Sequence, residues 1–339
     1  MANVRGNNVD KTFLSIDTAE ERQLIHRDYI GHCNRWSHAA RCLGRSQRYK
    51  SAKVLDIGCG VEVPMGKMLY SNRFVPEAYC GIDVRDNLEW PEMLKKGIDS
   101  GKLQNWSLVS GDCATVTPDQ LGFNPNFITC FEIVEHVEAD HRVHILQNML
   151  SISDAGVHML LSTPNYSHST GPADNHVDET THACLGAMIE DCGWRILDMF
   201  GTFASIKDYK DKILEKYGDS GVEIFARLRD YYDTNMLATI FAPLFPEESR
   251  NIMWHLVRFN PADSECPPRR YPSLRDLIDQ TVEAAEAATI QVAESEPDAT
   301  EERLKEIKSA CFSNVFGIRI GHSEKWLDPE FREAVLSSL

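Results

Sequence analysis

Two glutamates and a histidine lie within one short segment, EIVEH, at residues 132–136. If this segment turns into a helix, Glu132, Glu135 and His136 share one face. Two carboxylates and an imidazole on one face can bind a divalent cation, and such oxygen and nitrogen donors suit Mg²⁺, Mn²⁺ or Zn²⁺. His176, in the later segment NHVD, is the candidate for a fourth ligand. The alternative is a metal-free site in which His136 or, as second choice, His176 is the general base.

Acidic residues also close four successive predicted strands. They are Asp56, Asp83, Asp112 and Glu132. In an α/β sheet, ligands bind at the edge formed by the carboxyl ends of the strands. The first strand runs into Gly58-Cys59-Gly60, where glycines let the backbone approach a ligand without a Cβ clash. The 27 residues between Asp56 and Asp83 match one strand–helix–strand step.

Short apolar segments alternate with helical ones between residues 52 and 200, which predicts a parallel sheet covered on both faces. The predicted strands are 52–57, 79–84, 106–110, 127–134, 157–162, 194–200 and a later 252–259, and the predicted helices of this region are 140–152 and 180–192. The fold class predicted is therefore α/β, with a doubly wound sheet.

Three additions surround the predicted sheet. Residues 1–50 are predicted to form a helical N-terminal cover, with a helix over 18–48. Residues 51–260 form the main domain, in which 206–250 is an insertion with the character of a lid. Residues 261–339 are a helical C-terminal extension, with helices over 273–292 and 301–311. This tail would dock either on the sheet domain or on a second subunit, and the sequence leaves the oligomeric state open.

The motifs VLDIGCG, GIDV, SGDC, FEIVEHV and LLSTPNY, in this order and spacing, resemble those of the class I S-adenosylmethionine-dependent methyltransferases. The resemblance covers residues 51–200 and implies a seven-stranded Rossmann-like sheet whose last strand, 252–259, is antiparallel. It also implies cofactor-binding positions for S-adenosylmethionine. These positions are Asp56 (amino group), Gly58, Cys59, Gly60, Asp83 (ribose hydroxyls), Asp112 (adenine), Cys113 and Glu132. One departure is Glu62, which stands where a further glycine is common.

Two subfamilies share the EIVEH and STPN segments. The small-RNA 3′-terminal 2′-O-methyltransferases are similar in both and hold a metal with two Glu and two His. The ubiquinone-pathway O-methyltransferases are similar in Glu-x-x-Glu-His and are thought to use a divalent ion. Many small-molecule methyltransferases have the same segment without metal, and Glu132 would then only pack near the methionine end of the cofactor. A nicotinamide dehydrogenase is the competing interpretation, but it gives EIVEH and STPN no role.

The resemblance implies methyl transfer by in-line SN2 displacement, with O-methylation favoured because the Glu/His cluster can remove a hydroxyl proton. The favoured acceptor is a small molecule. One alternative is metal-assisted 2′-O-methylation of an RNA 3′ end. A second alternative is a non-catalytic protein that binds S-adenosylmethionine or a partner.

Composition limits the partners. The net charge of −16 argues against nonspecific nucleic-acid binding. The basic segment 22–53 can nevertheless hold a phosphate-bearing ligand, or pair with the acidic segment 276–302. The chain has no run of 18 apolar residues and no secretory signal, which predicts a cytoplasmic protein without a membrane partner. Its ten scattered cysteines are expected to be thiols rather than disulfides.

Overall fold

The computed structural model describes residues 27–45, 48–166, 173, 175–203, 206–319 and 325–339. The predicted helix at 18–26 lies outside these ranges. The described strands are β1 (Lys53–Ile57), β2 (Ala78–Asp83), β3 (Trp106–Ser110), β4 (Phe127–Phe131), β5 (His158–Pro164), β6 (Asp178–Glu179), β7 (Trp194–Phe203), β8 (Asn251–Arg258) and β9 (Ile318–Arg319). Seven of them form one sheet in the order β3-β2-β1-β4-β5-β8-β7, and two short strands, β6 and β9, pair separately.

The sheet has the predicted doubly wound α/β architecture. Strands β3, β2, β1, β4 and β5 are parallel, whereas β8 is antiparallel to both of its neighbours, β5 and β7. The chain order reverses between β1 and β4, so a crevice opens there at the carboxyl ends of the strands. The prediction of an antiparallel strand near residues 252–259 is confirmed by β8.

Helices cover both faces of the sheet. They are α1 (Arg27–Arg45), α2 (Pro64–Ser71), α3 (Glu92–Asp99), α4 (Pro118–Leu121), α5 (Ala139–Ile152), α6 (His182–Asp191), α7 (Ile206–Leu228), α8 (Thr234–Phe241), α9 (Leu274–Ser295), α10 (Glu301–Phe316) and α11 (Pro329–Ser338). Turns of 3-10 helix occupy Arg48–Ser51, Val134–His136, Ala242–Leu244 and Lys325–Leu327. No helix within the described ranges combines the length and the apolar character needed to span a membrane.

Helix α1 covers one face of the sheet. Trp36, Ala39, Ala40 and Leu43 recur at helical spacing and are all buried against the apolar residues of β1, β2 and α2. Trp36, Ala40 and Leu43 belong to the helical pattern that the sequence predicts, and this stripe packs the helix on the sheet.

The insertion 206–250 lies between β7 and β8, as predicted, and contains α7 and α8. Helix α7 is interrupted at Gly218, whose φ of +64° is not helical. The insertion has its own apolar cluster, which includes Tyr209, Phe225 and Phe245. Its two ends are adjacent in space because Phe203 of β7 pairs with Asn251 of β8.

The C-terminal extension docks on the sheet domain. Leu274, Leu277 and Ile278 of α9 are buried in the same apolar core as helices α5 and α6. The linker before α9 is held by Glu190 of α6, whose carboxylate accepts hydrogen bonds from the backbone N–H of Arg270 and of Tyr271. The final strand of the extension, β9, pairs antiparallel with β6, so Asp178 lies opposite Arg319.

Candidate active site

The glycine turn after β1 forms the floor of the crevice. Gly58 and Gly60 have φ of +68° and +62°, a region that side chains with a Cβ rarely adopt. A Cβ on Gly58 would lie 2.0 Å from Cδ1 of Ile133. The EIVEH segment therefore packs directly against the glycine turn. Val63 takes the left-handed conformation (φ +43°) just before α2, next to the position where Glu62 replaces the common glycine.

Asp83 at the end of β2 orders this turn. Its carboxylate accepts hydrogen bonds from the backbone N–H of Gly60, at 3.0 Å, and of Arg85, at 3.1 Å. A carboxylate has further lone pairs to offer, so Asp83 retains acceptor capacity at the mouth of the crevice. This position is the one predicted for the ribose contact.

Asp56 is buried below the turn rather than lying open in the crevice. One carboxylate oxygen accepts from the Tyr79 hydroxyl at 2.6 Å, and the other accepts from the Thr129 hydroxyl at 2.7 Å. Burial raises the pKa of Asp56 to about 6, although both hydrogen bonds oppose this rise. Asp56 thus joins three adjacent strands, β2, β1 and β4, and the contact of this residue to a ligand amino group stays a prediction.

Asp112 follows β3 and lies partly exposed at the same edge. It accepts from the backbone N–H of Ala114 and lies 3.2 Å from Nε2 of His141. Cys59 and Cys113 are both buried beside these acids. Burial raises the pKa of the Cys113 thiol to about 12, so it stays protonated. The side chains of both cysteines are buried, their cofactor-binding role stays a prediction, and the ten cysteines of the chain are all free thiols.

Glu132 departs from its predicted position. Its φ of +58° is left-handed, so the EIVEH segment does not continue as a helix from residue 132, and the expected shared face with Glu135 and His136 is wrong. Its carboxylate lies 2.6 Å from the Arg35 guanidinium and also accepts from Ser162 (2.9 Å) and Asn251 (3.0 and 2.9 Å). Glu132 therefore lies outside the predicted four-residue cluster.

The Arg35 charge determines the protonation of Glu132. Burial alone would raise the pKa of Glu132, but Arg35 and the hydrogen bonds from Asn251 and Ser162 outweigh burial and hold this pKa below its ordinary value. Glu132 is thus an ionised carboxylate whose Oε1 faces Arg35, Ser162 and Asn251 and whose Oε2 accepts from Asn251.

Glu135, His136 and His176 do converge, as predicted. One potential ligand atom from each residue lies within 4.8 Å of the other two. Glu135 is 1% exposed, and its Oε2 accepts from the Thr163 hydroxyl at 3.1 Å. Its Oε1 has no hydrogen-bond partner among the described residues and lies 4.0 Å from Nε2 of His136. Burial, together with the nearby Glu132 charge, raises the pKa of Glu135 well above its ordinary value.

The two imidazoles have the same hydrogen-bond arrangement. Nδ1 of His136 lies 3.1 Å from the carbonyl oxygen of Asn175, and Nδ1 of His176 contacts the Glu179 carboxylate. Since a carbonyl and a carboxylate only accept, each Nδ1 carries the proton and each Nε2 is the free nitrogen. Burial lowers the pKa of His136, and the His176 imidazole lowers it further, so His136 is neutral near pH 7.

A buried arginine joins the two segments that carry the cluster. Arg142 of α5 donates to the carbonyl oxygen of Val134, at 2.8 and 3.1 Å, and to that of Asp178, at 2.9 Å. The backbone N–H of Val177 also donates to the carbonyl oxygen of Glu135 at 2.8 Å. These bonds hold the EIVEH segment beside the His176 segment.

Sequence reasoning missed the residues that support the site. Arg35 was visible only as part of a basic helical segment, yet it is buried and pairs with Glu132 rather than with the acidic segment of the tail. Glu179 follows His176 at a spacing of three residues, which was the available signal. The roles of Arg142 and Asn251 had no local signal, because their partners are distant in sequence.

Comparison with known proteins supplies a family. A family model described as a methyltransferase domain matches residues 29–205, just over half of the 339-residue chain. None of the curated proteins compared with the chain matches it.

Solved structures are similar at low identity. One is the magnesium protoporphyrin IX methyltransferase ChlM of Synechocystis PCC 6803 with bound SAH, at 12% identity and a TM-score of 0.45, covering 73% of this chain and 89% of that one. The same protein with bound SAM has 13% identity and a TM-score of 0.42, covering 68% and 81%. The 1,6-didemethyltoxoflavin-N1-methyltransferase of Burkholderia thailandensis has 10% identity and a TM-score of 0.40, covering 67% and 79%.

Proposed function

The chain belongs to the methyltransferase-domain family, and from this premise we propose that it is an S-adenosylmethionine-dependent O-methyltransferase. Its acceptor hydroxyl is activated by the cluster of Glu135, His136 and His176. The observation that supports the proposal is the convergence of these three residues next to Ile133, which packs on Gly58 of the turn that we propose receives the cofactor.

The cofactor lies across the carboxyl ends of β1, β2 and β3. In this proposal Asp83 binds the ribose hydroxyls and Asp112 lies near the adenine. Gly58 and Gly60 let the cofactor approach the protein backbone closely, because they have no Cβ. These roles agree with the partly free carboxylate of Asp83 and the half-exposed position of Asp112. Asp56 acts indirectly, by fixing the strand end below the turn.

The reaction is a displacement at the methyl carbon of the sulfonium. The acceptor oxygen forms a bond to this carbon while the carbon–sulfur bond breaks, and the sulfur keeps the bonding pair. The hydroxyl proton goes to Nε2 of His136, the more exposed imidazole of the cluster, with a side-chain exposure of 38% compared with 13% for His176. The Nδ1 contacts of both rings keep their Nε2 atoms available as acceptors.

The cluster also fits a divalent cation. The unpartnered Oε1 of buried Glu135 and two imidazoles held through Nδ1 are an oxygen–nitrogen ligand set with its supporting hydrogen bonds in place. Without Glu132, this set is richer in nitrogen than the sequence suggested, which favours Zn²⁺ over Mg²⁺. When bound, the cation would stabilise the deprotonated acceptor oxygen.

A small molecule with a hydroxyl group is the acceptor we propose. The net charge of −16 disfavours a long polyanion, and the buried Arg35 is already paired, which removes one cation from the basic segment. The terminal ribose of an RNA is the second candidate, favoured specifically by the cation-binding geometry of Glu135, His136 and His176. We also propose that the insertion 206–250 closes over the acceptor.

The experiment is transfer of a tritiated methyl group from S-adenosylmethionine to separated metabolite, RNA and DNA pools, with and without EDTA. We expect label in the metabolite pool, loss of label in His136→Ala, and normal transfer in His144→Ala, a control imidazole exposed on α5. Label in RNA 3′ ends would instead support the second candidate. Cofactor binding without transfer to any pool would support the non-catalytic alternative, and full activity in EDTA would exclude the cation.

A further inference from the structure

A glycine of the C-terminal extension lies directly behind the His176 segment. Gly317 joins α10 to β9 and has a φ of +84°. A Cβ placed on it would lie 2.0 Å from the carbonyl oxygen of Glu179 and 2.8 Å from Cα of Thr180. These neighbours are backbone atoms of β6 and of the residue that follows it, and they cannot rotate away as a side chain could. Only glycine therefore fits between the extension and Glu179.

Glu179 decides which nitrogen of His176 is free. Its buried carboxylate contacts Nδ1 of His176 and accepts from the backbone N–H of Ala173 at 3.0 Å. Because the carboxylate cannot donate, it selects the tautomer with the proton on Nδ1. A displacement of Glu179 would release this proton to either nitrogen and let the ring turn.

Residues 315–317 of the extension, which lie next to Glu179, are held in place by several contacts. The hydroxyl of Thr181 donates to the carbonyl oxygen of Val315, two residues before Gly317. Lys325 pairs with Glu138 at 2.8 Å, and Phe316 stacks on Trp326 at 4.4 Å between ring centroids. Phe316 is fully buried. A movement of residues 315–317 would thus disturb packing as well as the strand pair.

We infer that the segment 315–319 of the C-terminal extension is a positioning element of the active site. Gly317 seats the backbone of Glu179, and the Glu179 carboxylate then holds His176 with Nε2 free for the cluster. The catalytic meaning of this inference rests on the proposed function. The contact between Gly317 and the Glu179 backbone, however, is a property of the free protein. Gly317 and Glu179 are positioning residues, since neither needs to touch the acceptor.

The test compares two glycine variants. Gly317→Ala introduces both a backbone clash and left-handed strain, whereas Gly122→Ala introduces only the strain, because Gly122 has a φ of +81° and nothing within 4 Å of its added Cβ. Long-range ¹H–¹⁵N spectra of the full chain, free of cations and cofactor, report the His176 tautomer. We expect the Nδ1–H form in the parent protein and Gly122→Ala, and a mixture of tautomers in Gly317→Ala.

Two binding measurements accompany the spectra. Mn²⁺ affinity should fall by about 10- to 100-fold in Gly317→Ala, the range expected when support of a ligating histidine is lost. S-adenosylmethionine affinity should stay within about 2-fold, since the cofactor edge lies on other strands. A parent protein that binds no Mn²⁺ would contradict the proposed cation, while the tautomer comparison would still decide the role of Gly317.

A wild-type His176 tautomer in folded Gly317→Ala would overturn the inference. If Gly317→Ala does not fold, Thr181→Val is used, because it removes the contact between Thr181 and Val315. This change also removes the hydroxyl that caps α6 at the Cys184 N–H, so unfolding is measured in parallel. A wild-type tautomer in that folded variant would equally overturn the inference, and a mixed tautomer would support it.

Discussion

The guanidinium of Arg35 on helix α1 meets the carboxylate of Glu132 at 2.6 Å inside the protein. The Arg35 side chain is 2% exposed and that of Glu132 is 22% exposed. Ser162 and Asn251 donate hydrogen bonds to the same carboxylate. The ion pair therefore fastens the N-terminal helix to the strand end that leads into the candidate active site.

Breaking this ion pair from one side should destabilise the protein strongly. Arg35→Met leaves Glu132 as a buried charge without its cation, and we expect a loss of about 3–5 kcal/mol in the free energy of unfolding. Urea denaturation measures the change. The double variant Arg35→Met/Glu132→Gln should recover part of the loss, because no unpaired charge remains. A loss below about 1 kcal/mol for the single variant would mean that the pair is effectively solvated.

The two glutamates of EIVEH should differ in cation binding. Glu135→Gln removes the carboxyl group whose Oε1 is unpartnered and which would bind the cation in its ionised form, so Mn²⁺ affinity should fall by at least about 10-fold. Glu132→Gln should lower this affinity less than Glu135→Gln does, because the Glu132 carboxylate already contacts Arg35, Ser162 and Asn251. Electron paramagnetic resonance of free Mn²⁺ gives both values. An equal loss of Mn²⁺ affinity in the two variants would mean that Glu132 is also a cation ligand.

The contrast between these glutamates shows the limit of sequence reasoning for this chain. Strand patterns and the motif order placed Glu135, His136, His176 and Asp83 at one sheet edge, because such patterns encode local structure and topology. The left-handed backbone of Glu132 had no such signal. Its conformation follows from partners on a distant helix and on β5 and β8, and tertiary contacts of this kind leave no periodic trace.

The same limit applies to the C-terminal extension. The sequence predicts two helices in this extension, the first of them from amphipathic spacing, and α9 and α10 confirm both. The contact of Gly317 with the Glu179 backbone could not be predicted from the sequence. A glycine after a helix is a common stop signal, whatever it packs against. It is the pairing of β6 with β9 that brings the Glu179 backbone next to this glycine.

Cofactor affinity should depend on Asp83. Asp83→Ala removes the acceptor proposed for the ribose and releases the N–H of Gly60, so S-adenosylmethionine binding should weaken by about 1–3 kcal/mol. Isothermal calorimetry measures this value. Asp86→Ala is the matched control, since Asp86 is an exposed carboxylate in the same loop. Unchanged affinity in Asp83→Ala would exclude the ribose assignment.

The insertion should be removable without loss of the sheet. Phe203 pairs with Asn251, so a two-residue Asn-Gly turn can replace residues 204–250 as a hairpin. We expect the shortened protein to bind S-adenosylmethionine but not to methylate its acceptor, because lids exclude water and complete the site. Calorimetry and methyl transfer measure the two properties. An unfolded product would show that the insertion belongs to the core.

Asp56 should make stability depend on pH. Its pKa is about 6 in the folded protein against an ordinary 3.8, so the folded state holds the proton more tightly than the unfolded state. Its stabilising contribution is complete below about pH 4 and is lost as pH rises through 6, a change of about 3 kcal/mol. Asp56→Asn stays neutral and should lack this decrease.

Urea unfolding of the cofactor-free protein between pH 4 and 7 measures this effect. The stability of Asp56→Asn relative to the parent should rise across this range, whereas Asp86→Asn should run parallel to the parent. Parallel curves for Asp56→Asn would mean that Asp56 is ionised in both states.

The pairing of β6 with β9 also sets the order in which a newly made chain can become competent. Ribosomes add about 5–20 residues per second, and the partner of β6 lies roughly 140 residues further along, so the His176 segment waits on the order of ten seconds for its support. Strand β8 lies inside the seven-stranded sheet and is made before β9, so the sheet can form while the His176 segment still lacks this strand pair. Fixing of the His176 segment is therefore a late step in the folding of the chain.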